Sequence, residues 1–250
     1  MSGWDATLVV AVTAMVAVMA SLRTPRRKAL VLAFPVPFTI ASMAVGRPLD
    51  ATHVVALSLL FLYTVGVWAL HRRVRVPLLA AIVASVAGFL ALATVLNGIL
   101  PRSEAGFWWA VAATALIGSG LLVTLPVQEE PGARRELPLV VKLPAVLVTV
   151  VALVSVKELI GGFMTLFPMV GVLASYENRL GLWSNVRQIP VVMLTMLPLM
   201  VTSHLLHDRL GLAASLAIGW LPFALIVTPF LRRGWRGGPA GPRRAARRSA

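Results

Sequence analysis

Residues 76–99 read VPLLAAIVASVAGFLALATVLNGI, a run without a single charge. The basic stretch HRRVR, residues 71–75, precedes it, and Pro101-Arg102 closes it. Such a run crosses a bilayer, because about 20 apolar residues in a helix match a hydrocarbon core about 30 Å thick. Only helices and closed barrels satisfy their own backbone groups in lipid, and a run apolar on every side reads as a helix. Working outward, eight further runs of the same kind appear, at about 6–22, 28–46, 52–70, 106–126, 138–156, 159–176, 188–206 and 211–231. The breaks between them carry Arg, Lys, His, Asp, Glu, Gly and Pro, the residues that lipid rejects or that stop helices.

Composition agrees. The 250 residues are 58% hydrophobic and only 13% charged, with a mean hydropathy of +0.87. A soluble domain carries about a quarter charged residues. These values exclude an ordinary cytosolic enzyme, a disordered chain and a coiled coil. The absence of cysteine excludes a disulfide scaffold, a thiolate metal site and a cysteine nucleophile. The expected fold is all-α, a polytopic membrane bundle of nine spans.

A net charge of +14 raises nucleic acid as a partner, but seven of the 23 basic residues lie in the last 19 positions and the rest punctuate apolar runs. The uniform basic face that nucleic acid requires is missing, so none is expected. The first span lacks a positive lead-in and so is not a cleavable signal. Asp5 precedes it, and Arg23, Arg26, Arg27 and Lys28 follow. With the N-terminus outside, the loops at 23–28, 71–75, 127–142, 177–187 and 232–250 face the cytoplasm and hold 19 of the 23 basic residues. The positive-inside rule then gives a bacterial plasma membrane protein, N-terminus out and C-terminus in. The ratio of 20 Arg to 3 Lys suits a GC-rich bacterial genome. The tail, 232–250, reads as disordered, a topology anchor that meets anionic lipid headgroups.

A repeat runs through these spans. Phe34-Pro35 and Ser42 in span two return as Phe167-Pro168 and Ser175 in span seven, both at a spacing of 133 (168 minus 35). The same register sets His71 on His204 and Leu79-Ala80-Ala81 on Leu212-Ala213-Ala214. The organisation expected is a four-helix repeat over 1–100, a linker helix and cytoplasmic loop over 101–137, a second repeat over 138–231, and the tail. Equivalent spans stand five apart, so the second repeat is inserted upside down. Inverted repeats of this kind build many secondary transporters around a central site.

Prolines inside spans free backbone carbonyls, which are tolerated where they line a cavity or are buried in protein. A solute path is therefore expected along Phe34, Pro35, Ser42, Phe167, Pro168 and Ser175. The same residues also serve plain kinks and interhelical hydrogen bonds. Gly161-Gly162 reads as close helix packing. Glu158, beside Lys157 at the outer start of span seven, is the candidate for ion coupling, against a short solvated loop as its alternative. His53 and His207 read as loop residues. No H-E-x-x-H, G-x-S-x-G, Walker A or G-x-G-x-x-G pattern occurs. No catalytic residue, metal, cofactor or ATP is expected.

The stretch Leu166-Phe167-Pro168, followed by Ala174 and Tyr176, resembles the GlpM family of small bacterial inner-membrane proteins. The similarity runs loosely over 142–231. The first half keeps Phe34-Pro35 but has Ala33 and Met43 where Leu166 and Tyr176 stand. The resemblance implies a four-helix unit, here doubled, and supplies no reaction. The function expected is a secondary transporter or permease for a small solute, not an enzyme. The alternative is a membrane accessory or scaffold protein that assembles with an enzyme or regulator.

Overall fold

The computed structural model describes residues 3–21, 35–126 and 139–236. Among them there are helices and no strands. In order these are α1 (Gly3–Ser21), α2 (Val36–Val45), α3 (Ala51–Arg72), α4 (Leu78–Ile99), α5 (Glu104–Thr124), α6 (Leu139–Ser155), the single turn α7 (Lys157–Ile160), a 3-10 segment (Gly161–Leu166), α8 (Met169–Glu177) and α9 (Leu182–Arg236). Four of them, Ala51–Arg72, Leu78–Ile99, Glu104–Thr124 and Leu182–Thr228, are long and apolar enough to cross a membrane. A bent pair over Leu147–Leu166 makes a fifth. Their outer faces are large and apolar, with Val83, Val95, Leu116 and Val123 all exposed. That is the surface of a membrane-embedded helix protein and not of a soluble one.

Local chemistry sets the ends. The Asp50 carboxylate accepts from the Thr52 amide at 2.9 Å and caps α3. The Ser103 hydroxyl accepts from Gly106 and caps α5. Both satisfy amides that a helix start leaves open. Helix α9 spans 55 residues, and a straight helix of that length would reach about 80 Å. It is broken at Gly211 (φ 75, ψ 171), a conformation that favours glycine. The Ser203 hydroxyl donates to the Ser215 carbonyl at 3.2 Å. A side chain on Gly219 would meet the Leu199 carbonyl. The two arms, 182–210 and 212–236, therefore run back along each other. The turn falls two residues after the expected break at His207–Arg209.

Helix α3 is the axis of the bundle. Ala56, Leu59, Tyr63 and Val67 pack with α1, α2, α4, α6 and the 3-10 segment in one apolar cluster. Ala51, Val54 and Leu57 pack with α5 and α9 in a second.

Three expectations change in detail. Span seven is not one helix: after a 67° bend between Ser155 and Lys157, beside the expected break, its chain passes through α7 and the 3-10 segment and restarts as α8. Span two is described only from Pro35 onward. The tail is helical as far as Arg236, where it was read as disordered from 232, and 237–250 lie outside the described residues.

Candidate functional site

Pro35 and Pro168 do not kink running helices. Each stands at the N-terminal boundary of one, with nearly equal backbone angles: φ −79, ψ 37 at Pro35 and φ −73, ψ 51 at Pro168. Proline suits a helix start, because the amide it lacks is one the first turn leaves unpaired. Helix α2 packs along the 3-10 segment that leads into Phe167-Pro168.

The six expected lining residues are placed as follows. Phe34 lies outside the described residues. Ser42 is buried and turns its hydroxyl back to the Phe38 carbonyl at 2.9 Å. Phe167 packs edge-on against Phe89 at 5.5 Å. Ser175 is buried beside the Tyr63 hydroxyl, which makes no well-aligned hydrogen bond. A groove of about 380 Å³ opens instead between α2 and the second arm of α9, lined by Val36, Thr39, Ile40, Ala213, Ala217 and Trp220. There the Trp220 indole donates to Thr39 Oγ1 at 3.0 Å.

Polar chemistry gathers at one end, around the bend between α6 and α7. Lys157 Nζ donates to both oxygens of Asp5 at 2.8 and 2.9 Å, and Asp5 is 0% exposed. Arg47 donates to Glu158 at 3.1 Å, and the Glu158 side chain is 75% exposed. Asn97 donates to the Leu159 carbonyl at 3.0 Å. Glu158 thus sits on the surface, paired to a guanidinium.

At the same end the structure places a residue that sequence reading missed. His53 was read as a loop residue; it lies in the first turn of α3 and is 1% exposed. Its Nδ1 stands 2.9 Å from Asp50 Oδ1 and 3.2 Å from the Asp50 amide. The Asp50 amide donates to Nδ1 in a capping box when the proton is on Nε2, and Nδ1 donates to the carboxylate in the other tautomer. Nε2 is buried with no hydrogen-bond partner. Burial alone would raise the Asp50 carboxyl, but its bonds to His53 and Thr52 outweigh that and hold it well below the usual carboxylate range. Gly162 lies against this pair: an added Cβ would fall 2.2 Å from Thr52 Oγ1 and 2.5 Å from His53 Nδ1. The signal was available as Asp50-Ala51-Thr52-His53, a polar cap directly before an apolar run.

Among the described residues no group of three or more His, Asp or Glu could hold a metal ion. Set against known protein families, curated proteins and solved structures, the chain matches none.

Proposed function

We propose that the chain is a secondary transporter or permease for a small solute, with nine spans in a bacterial inner membrane and a path between two inverted repeats. The observation that carries this reading is the pair of helix starts at Pro35 and Pro168. Under the 133-residue shift the start of α2 at Val36 falls on the start of α8 at Met169, and α3 and α4 fall on the two arms of α9. Broken helices in corresponding places of two halves point to a midplane site in transporters. The GlpM-like four-helix unit, doubled, fits the same plan.

Contacts support the sidedness read from the charges. Asp5 with Lys157, Arg47 with Glu158 and Leu49 with His204 join loops assigned outside. Arg72 with the Arg179 and Leu180 carbonyls, and Trp183 with the Pro126 carbonyl, join loops assigned inside. The accessory reading draws on the charged side chains, which in these contacts lie at helix ends and not at mid-span.

Liposome swelling with the full-length protein and a panel of polyols, amino acids and organic anions tests the choice. A transporter passes some members of the panel, loses that flux in Pro35→Ala/Pro168→Ala, and keeps it when 237–250 are removed. No flux for any member, together with a cellular phenotype lost on removing 237–250 and kept in the proline variant, contradicts the transporter and favours the accessory protein.

A further inference from the structure

We propose that the turn at 71–76, together with Arg179 and Arg187, holds the headgroup phosphate of an anionic phospholipid. The proposal rests on the membrane-embedded character of the chain and not on the transporter reading.

The two ends of the bundle treat charge differently. At the end that carries Asp5, the pairs Lys157–Asp5 and Arg47–Glu158 match cation with carboxylate. At the other end stand Arg72, Arg73, Arg75, Arg179 and Arg187. None of these makes an ion pair with Glu177 or any other carboxylate among the described residues. Like charges gathered this way repel one another and attract an anion.

Packing brings them to one place. The Arg72 guanidinium donates to the Arg179 and Leu180 carbonyls at 3.2 and 3.1 Å, which ties the turn between α8 and α9 to the end of α3. The Trp68 and Trp183 rings lie 4.7 Å apart, and the Trp183 indole donates to the Pro126 carbonyl after α5. Arg73 stands over the Trp68 ring at 4.8 Å. Contact with a ring uses the charge of the guanidinium and leaves its N–H donors for a phosphate. Arg187 follows Trp183 by one helical turn on the same side of α9.

Arg75 carries the sharper signal. Among the described residues it is the one non-glycine residue with a left-handed backbone (φ 64). The fold of the turn depends on that conformation: the Val76 amide reaches back to the Leu70 carbonyl at 2.9 Å, and His71 Nδ1 meets the Val76 carbonyl at 3.0 Å. Glycine adopts it without steric cost and arginine does not. The chain keeps a cation where its backbone favours glycine, which the turn alone does not require.

The apolar surface among the arginines decides for a lipid over a free phosphate. Val74, between Arg73 and Arg75, is 64% exposed, and Leu180, beside Arg179, is 38% exposed. A phospholipid at the membrane surface brings its phosphate to the arginines and its acyl chains to these side chains and to the tryptophans.

The test is the unfolding temperature of the full-length protein in detergent, titrated with dioleoyl phosphatidylglycerol, dioleoyl phosphatidylethanolamine or glycerol 3-phosphate. Phosphatidylglycerol should raise it saturably by ~5 °C, and the other two should not. Arg73→Gln/Arg75→Gly should need ~10-fold more phosphatidylglycerol for the same gain. Without lipid, Arg75→Gly should unfold no earlier than the wild type, because glycine relieves the turn. Arg73→Lys, which keeps the charge and loses the planar fork, should fall between. Removal of 237–250 should leave the response intact. Equal gains from phosphatidylethanolamine or from glycerol 3-phosphate overturn the proposal, as does an unchanged response in the double variant. A response lost with 237–250 moves the lipid to the tail and overturns it too. A measurement that needs no variant is native mass spectrometry of the wild type from an equimolar mixture of the two lipids. Retained phosphatidylglycerol is the result expected, and adducts in the input ratio overturn the proposal.

Discussion

The stretches after Pro35 and after Pro168 begin alike and end differently. Both start a short helix with the same backbone turn. Helix α2 then closes on a left-handed Gly46, and Ser42 is bonded within its own helix. Before Pro168 the chain bends by 67° between Ser155 and Lys157 and then runs through a 3-10 segment that opens on a glycine pair; at the places of that pair the first half has Lys28-Ala29. The buried Lys157–Asp5 pair, the Asn97 bond and the Asp50–His53 pair all crowd that second bend. The difference teaches that a shared proline start fixes where a helix begins, while the residues after it decide how the helix closes.

The comparison breaks most sharply at Gly162. Gly162→Ala places a methyl group inside contact distance of Thr52 and His53. It should cost about 3 kcal/mol, read as a fall in unfolding temperature in detergent.

Next in size is the clamp on α1. Lys157→Met takes the ammonium from a fully buried carboxylate and should cost about 2–3 kcal/mol. Asp5→Asn added to it should recover part of the loss, and a double-mutant cycle reads the coupling. Full additivity would mean that the pair does not hold the bend.

Asp50→Asn should cost about 1–2 kcal/mol at neutral pH. Because the folded carboxyl sits below its ordinary range, its contribution is complete above that range and fades as pH falls through the folded value. The unfolding temperatures of variant and wild type should therefore converge only in strong acid. A gap that persists there would place the effect in packing.

The smallest effect belongs to Glu158→Gln. An exposed ion pair is worth about 0.5 kcal/mol, so stability should hardly move. Any pH dependence of solute flux should survive in this variant. Loss of that dependence would return the coupling role to Glu158.

The helical, membrane-embedded character was legible in the sequence because lipid imposes a simple rule on long apolar runs. Helix starts and stops also followed, since Asp50, Ser103 and the prolines act within one turn. The broken course of span seven was not legible. Gly161-Gly162 reads equally as packing, and only the approach of Thr52 and His53, more than a hundred residues away in sequence, shows what the glycines admit. The burial of Asp5 was hidden for the same reason, its partner lying 152 residues along the chain. His53 was lost to a loop because a polar residue at a helix start is usually solvated. Its contact with Asp50 was local, but its burial was set by α3 lying at the centre of the bundle.

The central claim is that the second copy is inserted upside down, and one measurement meets it directly. The chain has no cysteine, so single cysteines at Ser2, Ser103, Ser184 and one position within 131–137 can be labelled in intact cells with an impermeant thiol reagent. Labelling at Ser2 and Ser103, with protection at Ser184 and within 131–137, is the result predicted, since α5 then crosses and the two proline-started helices point in opposite directions. Labelling of Ser103 and the 131–137 site from the same side would contradict it, because the copies would then be parallel and no central path would lie between them.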